Sequence, residues 1–372
     1  MRPAAATSEA PGGGTTIDRV DLVDAGGDVW SRWEAADRDH PTPHAAASYH
    51  WNRSWDRSYG DSVDCRVLVA IAGGCEVGYW LSPRSANLSD GPVTVATQHL
   101  GTAGEPSGDA VFVEHNRPWL HPSLDPTAGG RDFLRRAIGR LSREPGDRID
   151  LDGLPAELVP SDLLDAAHLE RRDSPWFDFE GIDDGDLLAS LRKKTRSNFR
   201  RAMKHYGPVI VEWTEADGDI PAAMRTLIDL HQSRWEAAGR AGAFGGDRFA
   251  PFLGDVVAGG RGAVAIARDD AGPIGATLLT REERRLLCLV VGFADTAVRQ
   301  SPGVVSLVPI MQAALDRGYA GFEWLVGDSL YKRMLSTGTR ELVWAKQPQS
   351  TLKMLTVRSL RAVKRTLDAA RR

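Results

Sequence analysis

The sequence predicts an α/β (α+β) protein of two consecutive units, each a mixed, largely antiparallel sheet flanked by helices. The first observation is a repeat, because Val69–Ala72 and Val264–Ala267 share the same four residues and each precedes an apolar residue and a glycine. The copies lie about half the chain apart, which favours duplication of a domain over a short-period solenoid. The second observation is the order of elements, which in each half is helices, a meander, then helix, strand, helix and strand. The third is length, since 372 residues are comfortable for two cores.

The first unit is predicted over residues 16–175, after a lead-in over residues 1–15 that we expect to be disordered because it is rich in Ala, Gly and Pro. The Asp173–Pro175 segment marks the expected joint between the units, since its residue types are typical of turns. The predicted elements are helices near Val29–Ala36 and Ala45–Arg57, strands Arg66–Ala72, Glu76–Ser82, Val93–His99 and Ala110–Val113, a helix Arg131–Ser142, a strand Arg148–Leu151 and a helix near Asp162–His168.

The second unit is predicted over residues 176–372. It opens with a helix from about Asp184 to His205, whose apolar face includes Leu187, Leu191 and Phe199 and whose other face is basic. The elements that follow are a strand Val209–Thr214, helices Ile220–Ala238 and Arg248–Val257, an antiparallel meander of Ala263–Arg268, Ile274–Thr280 and Leu286–Phe293, a helix Val304–Arg317, strands Gly321–Val326 and Glu341–Ala345 around a short helix, and a basic C-terminal helix.

The composition is that of an ordinary globular protein, with 42% hydrophobic and 26% charged residues. No stretch is long and apolar enough for a membrane span, so membrane insertion is not expected. The three cysteines are odd in number and scattered, which favours buried thiols in a reducing compartment. We therefore predict a cytoplasmic protein.

The net charge of −4 hides two basic segments on an acidic body. Residues 183–206 hold seven Lys or Arg and three Asp, and residues 350–372 hold seven Lys or Arg and one Asp. Two basic helices would form a suitable binding surface for a phosphate-rich partner such as tRNA. The alternative is that these side chains only solvate the outer faces of two amphipathic helices.

The junction between the last meander strand and the next helix points to an anion site. The chain runs through Arg299–Gly303 into the helix at Val304, which leaves backbone N–H groups and a positive helix end facing outward. Gln300-x-x-Gly303-x-Val305 resembles the loop that holds the pyrophosphate of coenzyme A in Gcn5-related acetyltransferases (GNAT). Val305 departs from that loop, which has Gly or Ala there, and Pro302 removes one N–H.

Further motifs extend this resemblance over about Asp184–Lys346. The quoted segments are the basic run Arg192–Arg201, Leu230-His231-x-x-Arg234-Trp235 with Gly239, Gly242, Ala243 and Phe244 after it, Ser301-Pro302-Gly303, and Phe322–Leu325 followed by Gly327-Asp328-x-x-Tyr331-Lys332. In this order and spacing they resemble the CelD/BioF2-like acyltransferase domain and, more distantly, the Fem-type peptidyltransferases, which are tandem GNAT folds. The resemblance implies transfer of an acyl group to an amine, with acyl-CoA or, in the Fem branch, aminoacyl-tRNA as the donor. It also implies that the active cleft belongs to the second unit and that the first is a degenerate GNAT-like domain.

Attack of an amine on a thioester or ester requires a neutral nucleophile, a donor for the oxyanion and groups that move protons. Lys332 would place a cation near the oxyanion or a phosphate, Tyr331 offers a hydroxyl donor, and Asp328 would orient the amine or accept its proton. Asp328 is equally well placed to cap a helix. His231 is a candidate general base near neutral pH, with a satisfied interior histidine as the alternative.

The remaining candidates would bind rather than react. Arg299, Gln300, Ser301, Gly303 and Val304 would hold the donor at the helix start, with Arg196 and Arg200 on its phosphates. The predicted substrate contacts are Arg234, Trp235, Phe244 and, from the Glu114–Asn116 segment of the first unit, Asn116.

The sequence thus predicts an N-acyltransferase that uses acyl-CoA and acylates a small metabolite, amino sugar or peptide. The alternatives are a Fem-like transferase that uses aminoacyl-tRNA, and a non-catalytic scaffold with the same fold. No metal is expected, because no Cys/His spacing is typical of a metal site.

Overall fold

One long mixed sheet runs through the whole molecule. The computed structural model describes residues 15–90, 93–106, 113–164, 168–182, 185–237, 239–295 and 300–357, with only the backbone at 87–90, 164 and 168. The strands are β1 (Arg19–Asp24), β2 (Asp64–Ala72), β3 (Cys75–Asp90), β4 (Val93–Leu100), β5 (Trp119–Leu120), β6 (Arg148–Pro155), β7 (His168–Asp178), β8 (Ile210–Thr214), β9 (Gly262–Asp269), β10 (Gly272–Glu282), β11 (Arg285–Phe293), β12 (Gly321–Glu323) and β13 (Gly338–Pro348).

The helices cover both faces of this sheet. They are α1 (Gly27–Asp39), α2 (Tyr49–Tyr59), α3 (Ala128–Leu141), α4 (Ser161–Leu164), α5 (Leu187–Ser190), α6 (Lys193–Met203), α7 (Ile220–Ala237), α8 (Phe249–Ala258), α9 (Pro302–Asp316) and α10 (Leu330–Met334), with 3₁₀ turns at Ala45–Ala47, Gly60–Ser62 and Ala156–Leu158 and a further helical turn at 352–357. Within the described part of the chain, no helix has the length and apolar character that a membrane crossing requires.

The strand order repeats the same arrangement twice. In the first half β1, β2, β3 and β4 form an antiparallel meander and β4 pairs in parallel with β6. In the second half β8, β9, β10 and β11 do the same and β11 pairs in parallel with β12. The predicted tandem α/β fold is therefore confirmed, and the two copies of the repeat lie in equivalent strands, β2 and β9.

Burial on both faces explains why the repeat is continuously apolar rather than alternating. In β9, Val264 and Ile266 face a core under α7 and α8, whereas Ala265 and Ala267 face a second core under α9. The first of these cores continues into the first half, where Trp51 of α2 packs edge-on against Phe252 of α8 at 5.0 Å between ring centroids. One face of the sheet therefore carries a single core shared by both halves.

The two halves exchange their last strands. β13, from the end of the chain, pairs with β6 of the first half, and β7 pairs with β12 of the second half. β7 and β13 also pair with each other at the centre of the sheet. The expected turn at Asp173–Pro175 is consequently wrong, because these residues lie inside β7 and pair with Thr339–Glu341. The division of the chain at residue 175 stays a prediction.

Two other local expectations change, and three segments are not described. The helix predicted over 184–205 is two helices, because Arg192 adopts an extended backbone conformation (φ −52°, ψ 140°) between α5 and α6. The break lets Leu187 and Phe199 both reach the core under α9. The helix expected near Asp162–His168 ends at Leu164, and His168 already belongs to β7. The lead-in over residues 1–14, the strand expected at 110–112 and the basic segment 358–372 lie outside the described residues.

A buried cluster of charges joins the halves where the sheet changes from one to the other. We call it the junction cluster, and its members are His44, His115, Arg117, Glu282, Glu323 and Arg340. Arg117 Nη2 lies 2.9 Å from Glu282 Oε1, and His115 Nε2 lies 3.3 Å from Glu323 Oε2. First-half side chains thus neutralise carboxylates that the second half buries.

Candidate functional site

A cleft of about 790 Å³ opens in the second half, and five elements contribute to its wall. α6 contributes Asn198, Arg201 and Ala202, and the C-terminal end of α7 contributes Ser233, Arg234 and Ala237. The end of β11, the start of α9 and the short helix α10 complete the wall with Phe293, Ala294, Asp295, Gln300, Ser301, Pro302, Gly303, Val304, Ser329, Leu330, Tyr331 and Met334.

The cleft exists because β11 and β12 separate. Their parallel pairing covers only Arg285–Leu287 with Gly321–Glu323, so from Cys288 onward the two strands diverge. A register shift against Leu278 and Leu279 also makes a β-bulge in this part of β11. Bulges of this kind interrupt the ladder and are common beside active sites.

The start of α9 faces the cleft. Ser301 is the N-cap in a left-handed conformation (φ 51°, ψ 46°), and its side chain makes no capping hydrogen bond. Its carbonyl accepts hydrogen bonds from Val304 and Val305 N–H, both at 3.2 Å, and Tyr206 Oη donates to Gln300 O at 2.8 Å, which fixes the loop. Pro302 has no N–H and the Val304 N–H is bonded to Ser301 O, so the Gly303 N–H and the positive end of the helix dipole face the cleft, where an anion would fit.

Val305 does not conflict with such a site. Its side chain is fully buried against Ala202 and Ile274, so it points away from the cleft. The departure from the family loop noted in the sequence is therefore accommodated inside the packing between α6, α9 and β10.

Two arginines line the cleft beside this helix start. Arg234 is exposed and its guanidinium lies 5.5 Å from the centroid of the Phe293 ring. Arg201 is also exposed, and it is Arg201, not Arg196 or Arg200, that α6 turns toward the cleft. Arg196 donates to Ala189 O at 2.6 Å and so ties α6 to the end of α5, while Arg200 lies outside the lining residues. Spacing in the sequence could not select Arg201, because the outer face of α6 is basic or polar throughout and offers several arginines that look equivalent.

Tyr331 is the predicted reactive residue that the structure places in the cleft. Its ring packs edge-on against Phe293 at 5.9 Å and against Trp324 at 5.7 Å, so it lies where β11 and β12 part. Burial raises the pKa of Tyr331, and the nearby Cys288 adds to the increase. The phenol therefore stays protonated at neutral pH, as a proton donor requires.

Lys332 lies next to Tyr331 but faces away from the cleft. Its Nζ donates to Leu325 O and to Val326 O, both at 2.9 Å, and burial lowers its pKa. These contacts fix the loop between β12 and α10. Asp328 is exposed and forms an ion pair with Arg333 at 2.5 Å, so it too lies outside the lining residues. The catalytic roles expected for Lys332 and Asp328 stay predictions.

His231 holds α7 to β11. Its Nδ1–H donates to Val291 O at 2.8 Å and its Nε2 accepts from Ala243 N–H at 3.1 Å, so both ring nitrogens are occupied. Burial lowers its pKa, which keeps the ring neutral. The close approach requires Gly292, where a Cβ atom would lie 2.6 Å from His231 N. This geometry gives His231 the interior role that the sequence left as the alternative.

The other predicted substrate contacts also lie outside the cleft lining. Phe244 is buried against the rings of His231 and Phe249, and Trp235 lies 5.9 Å from His231 on the other side. Asn116 bridges the parting strands of the first half, because its Nδ2 donates to Leu100 O at 2.6 Å and to Asp152 O at 3.1 Å. Arg299 lies outside the described residues.

Thus the structure brings together one part of the predicted site. The residues it gathers in the cleft are Arg234, Gln300, Ser301, Gly303, Val304 and Tyr331. Sequence reasoning missed Asn198, Arg201 and Ser233, which are single polar residues on helices with no motif of their own. Among the described residues, no group of three or more His, Cys, Asp or Glu side chains could hold a metal ion.

Comparison with known families now identifies the domain around the cleft. Residues 189–333 match the family model described as an acetyltransferase (GNAT) domain. These residues form a GNAT domain. The match confirms the resemblance seen in the sequence and makes this part of the second half an acyltransferase domain, and it covers every residue that lines the cleft except Met334. Comparison with curated protein sequences gives no match.

Solved structures share the fold of both halves of this chain. The C-terminal domain of a putative lysylphosphatidylglycerol synthetase from Agrobacterium fabrum has a TM-score of 0.55 at 12% identity, covering 88% of this chain and 95% of that one. L-PGS from Bacillus licheniformis has a TM-score of 0.54 at 8% identity, covering 90% and 97%. FemX has a TM-score of 0.54 at 11% identity, covering 87% and 96%. At these identities the likeness concerns the fold.

Proposed function

We propose that the cleft binds an acyl-CoA thioester and that the protein transfers its acyl group to the amine of a small metabolite, amino sugar or peptide. The observation that carries this proposal is the joint presence in one cleft of the open start of α9, two exposed arginines and Tyr331. The helix start together with Arg201 and Arg234 suits the phosphates of the donor. The diverging strands β11 and β12 leave room for the thioester.

The reaction follows from these groups. The nitrogen lone pair of a neutral amine attacks the thioester carbonyl carbon, a C–N bond forms and the C–S bond breaks. The leaving thiolate takes a proton from the Tyr331 hydroxyl, and the nitrogen loses one proton to a base. Tyr331 suits the acid role because it lines the cleft and its hydroxyl is protonated at neutral pH.

Titration with acetyl-CoA tests donor binding at the start of α9. Gly303→Glu places a carboxylate at the positive helix end, so we expect acetyl-CoA affinity to fall at least tenfold, or about 1.4 kcal/mol. Gly303→Ala is the matched control, because its Cβ would lie 3.4 Å from the Phe293 ring in ordinary contact. Calorimetric titration of both variants and the wild type measures the effect. Equal affinity for all three proteins would contradict a donor site at α9.

Aminoacyl-tRNA is the second candidate donor, and the outer face of α6 favours it. Lys193, Lys194, Arg200, Arg201 and Lys204 are exposed, and none of them has a carboxylate partner among the described residues. A row of exposed cations beside the cleft suits a nucleic-acid backbone. Binding of tRNA that weakens steeply with salt, without binding of acetyl-CoA, would favour this donor, whereas binding of neither would favour the non-catalytic scaffold.

A further inference from the structure

The loop between β12 and α10 is clamped from two directions. From the second half, Lys332 Nζ donates to the carbonyl oxygens of Leu325 and Val326. From the first half, Glu114 Oε2 accepts the N–H of Val326 at 2.6 Å. Leu325 adopts a left-handed conformation (φ 57°), so the loop needs these contacts to keep its shape. A carboxylate of the first half is thereby fixed against the GNAT domain.

Only one oxygen of Glu114 is used in this clamp. Oε1 accepts no hydrogen bond from any residue that the structure describes, and the side chain is partly exposed. The charged groups that act on it are His115 on its own segment, Lys332 on α10 and Arg172 on β7. Burial nevertheless raises the pKa of Glu114, because these neighbours and the Val326 N–H offset it only in part. The carboxylate is therefore a better proton acceptor than an ordinary glutamate.

Glu114 and Tyr331 lie on opposite sides of the same loop-and-helix unit. Ser329, Leu330 and Tyr331 line the donor cleft, whereas Lys332, one residue later, faces the loop that Glu114 holds. Cys288, the residue of β11 at which β12 departs, raises the pKa values of both Lys332 and Tyr331, which places it near both side chains. Where β11 and β12 diverge, the proton donor Tyr331 therefore lies on the side of the cleft, and the Glu114 carboxylate lies on the side of the first half.

We propose that Glu114 binds the amine of the acceptor and takes its proton, so that the acceptor enters from the junction of the two halves while the donor occupies the cleft. This inference rests on the proposed N-acyltransferase function. In the step, Glu114 Oε1 takes one proton from the ammonium group, and the neutral nitrogen then attacks the carbonyl carbon. The C–N bond forms, the C–S bond breaks and the thiolate takes the Tyr331 proton, while the second proton that the nitrogen loses returns to Tyr331 through solvent. The acceptor class is a primary amine that arrives as a cation, because a carboxylate held by a single N–H attracts an ammonium group. The first half then supplies a catalytic residue.

Glu114→Gln tests this role because its amide oxygen can still accept the Val326 N–H while the charge and the basic oxygen are lost. The measurement is transfer from radiolabelled acetyl-CoA to glucosamine, L-lysine, spermidine and a lysine-containing pentapeptide over pH 4.5 to 9, together with acetyl-CoA affinity. We expect transfer to fall by about 10²- to 10⁴-fold with acetyl-CoA affinity unchanged. The wild-type rate falls toward low pH as Glu114 becomes protonated, and the variant lacks this acid limb.

Glu215→Gln is the matched control, since Glu215 is also a carboxylate that accepts one N–H, from Trp213 at 3.0 Å, but lies beside the outermost strand of the second half. Its transfer rate and acid limb should equal those of the wild type. Equal transfer by Glu114→Gln and wild type, or an acid limb in the variant with the same midpoint as in the wild type, overturns the role of Glu114 alone. A wild-type protein that binds acetyl-CoA but acylates none of the four amines overturns the amine site. Failure to bind acetyl-CoA overturns the proposed function and this inference with it.

Discussion

The Glu282 carboxylate of the junction cluster is surrounded by cations from both halves. Arg117 lies 2.9 Å away, His44 3.2 Å, and His115 and Arg340 each 3.6 Å. Although burial alone would raise its pKa, Arg117 and His44 hold the pKa of Glu282 well below the ordinary value of 4.5. This carboxylate is therefore ionised in the folded protein and depends on partners from the first half.

We expect Glu282→Gln to lower the free energy of unfolding by about 3–5 kcal/mol, because removing one partner leaves buried cations uncompensated. The sign of the pH effect follows from the lowered pKa: the wild type keeps this stabilisation above pH 4.5 and loses it as the pH falls further. Urea denaturation at pH 7 and pH 4 measures both effects. The exposed neighbour provides the control, since Glu283→Gln should change stability by less than about 0.5 kcal/mol. If Glu282→Gln lowers the free energy of unfolding no more than Glu283→Gln does, the junction cluster does not stabilise the fold.

At the scale of single residues, the sequence predicts which side chains have suitable chemistry more readily than it predicts which groups contact them in the fold. Tyr331 and Gly303 could be predicted because each stands in a short motif next to a strand end or helix start. The side chains of His231 and Asn116 are equally suitable for a site, but both are used in hydrogen bonds to backbone groups that are distant in sequence. His231 donates to Val291 O and Asn116 donates to Leu100 O. Such partners depend on tertiary packing, which a pattern of neighbours in the chain does not encode.

At the scale of elements, α6 presents two arginines in different settings. Arg201 lines the cleft, whereas its neighbour Arg200 is exposed on the outer face. The break at Arg192 fixes this rotation, because it lets Phe199 and Ala202 take the buried positions. A single continuous helix, as the sequence predicted, would not reveal which arginine faces the cleft.

The pair distinguishes the two donors. For acyl-CoA, Arg201→Glu should weaken binding at least tenfold and Arg200→Glu by less than twofold, since only Arg201 reaches the cleft. For tRNA, both variants should weaken binding by comparable factors and reduce its salt dependence, because both remove a cation from the same face. Titration with acetyl-CoA and with aminoacylated tRNA at two salt concentrations gives the comparison. If neither variant affects either ligand, α6 does not contact the donor.

At the scale of the whole molecule, the exchange of β7 and β13 joins two copies of one fold. The repeat and the order of elements were enough to predict two units, since both reflect local patterns of apolar residues. They could not reveal the exchange, because the local pattern of β7 and β13 suits either half of the sheet. Their pairing with β12 and β6 depends on long-range contacts. The Asp173–Pro175 segment shows the difficulty: its residue types are typical of a turn, yet Pro175 lies in β7 just before the three residues that pair with β12.

The exchange predicts which fragments of the chain fold. A fragment of residues 176–372, cut at the boundary that the sequence suggests, loses most of β7 and keeps β13 without β6, so it exposes one strand edge and lacks another strand. A fragment of residues 168–337 keeps β7 with all of β8–β12 and omits β13.

We expect the second fragment to be the more soluble and to unfold in urea as a cooperative transition, whereas the first aggregates through its unpaired strand. Circular dichroism and size-exclusion chromatography of the two fragments decide this. Greater stability of 176–372 would mean that β13 contributes more to the second half than its pairing with β6 and β7 indicates.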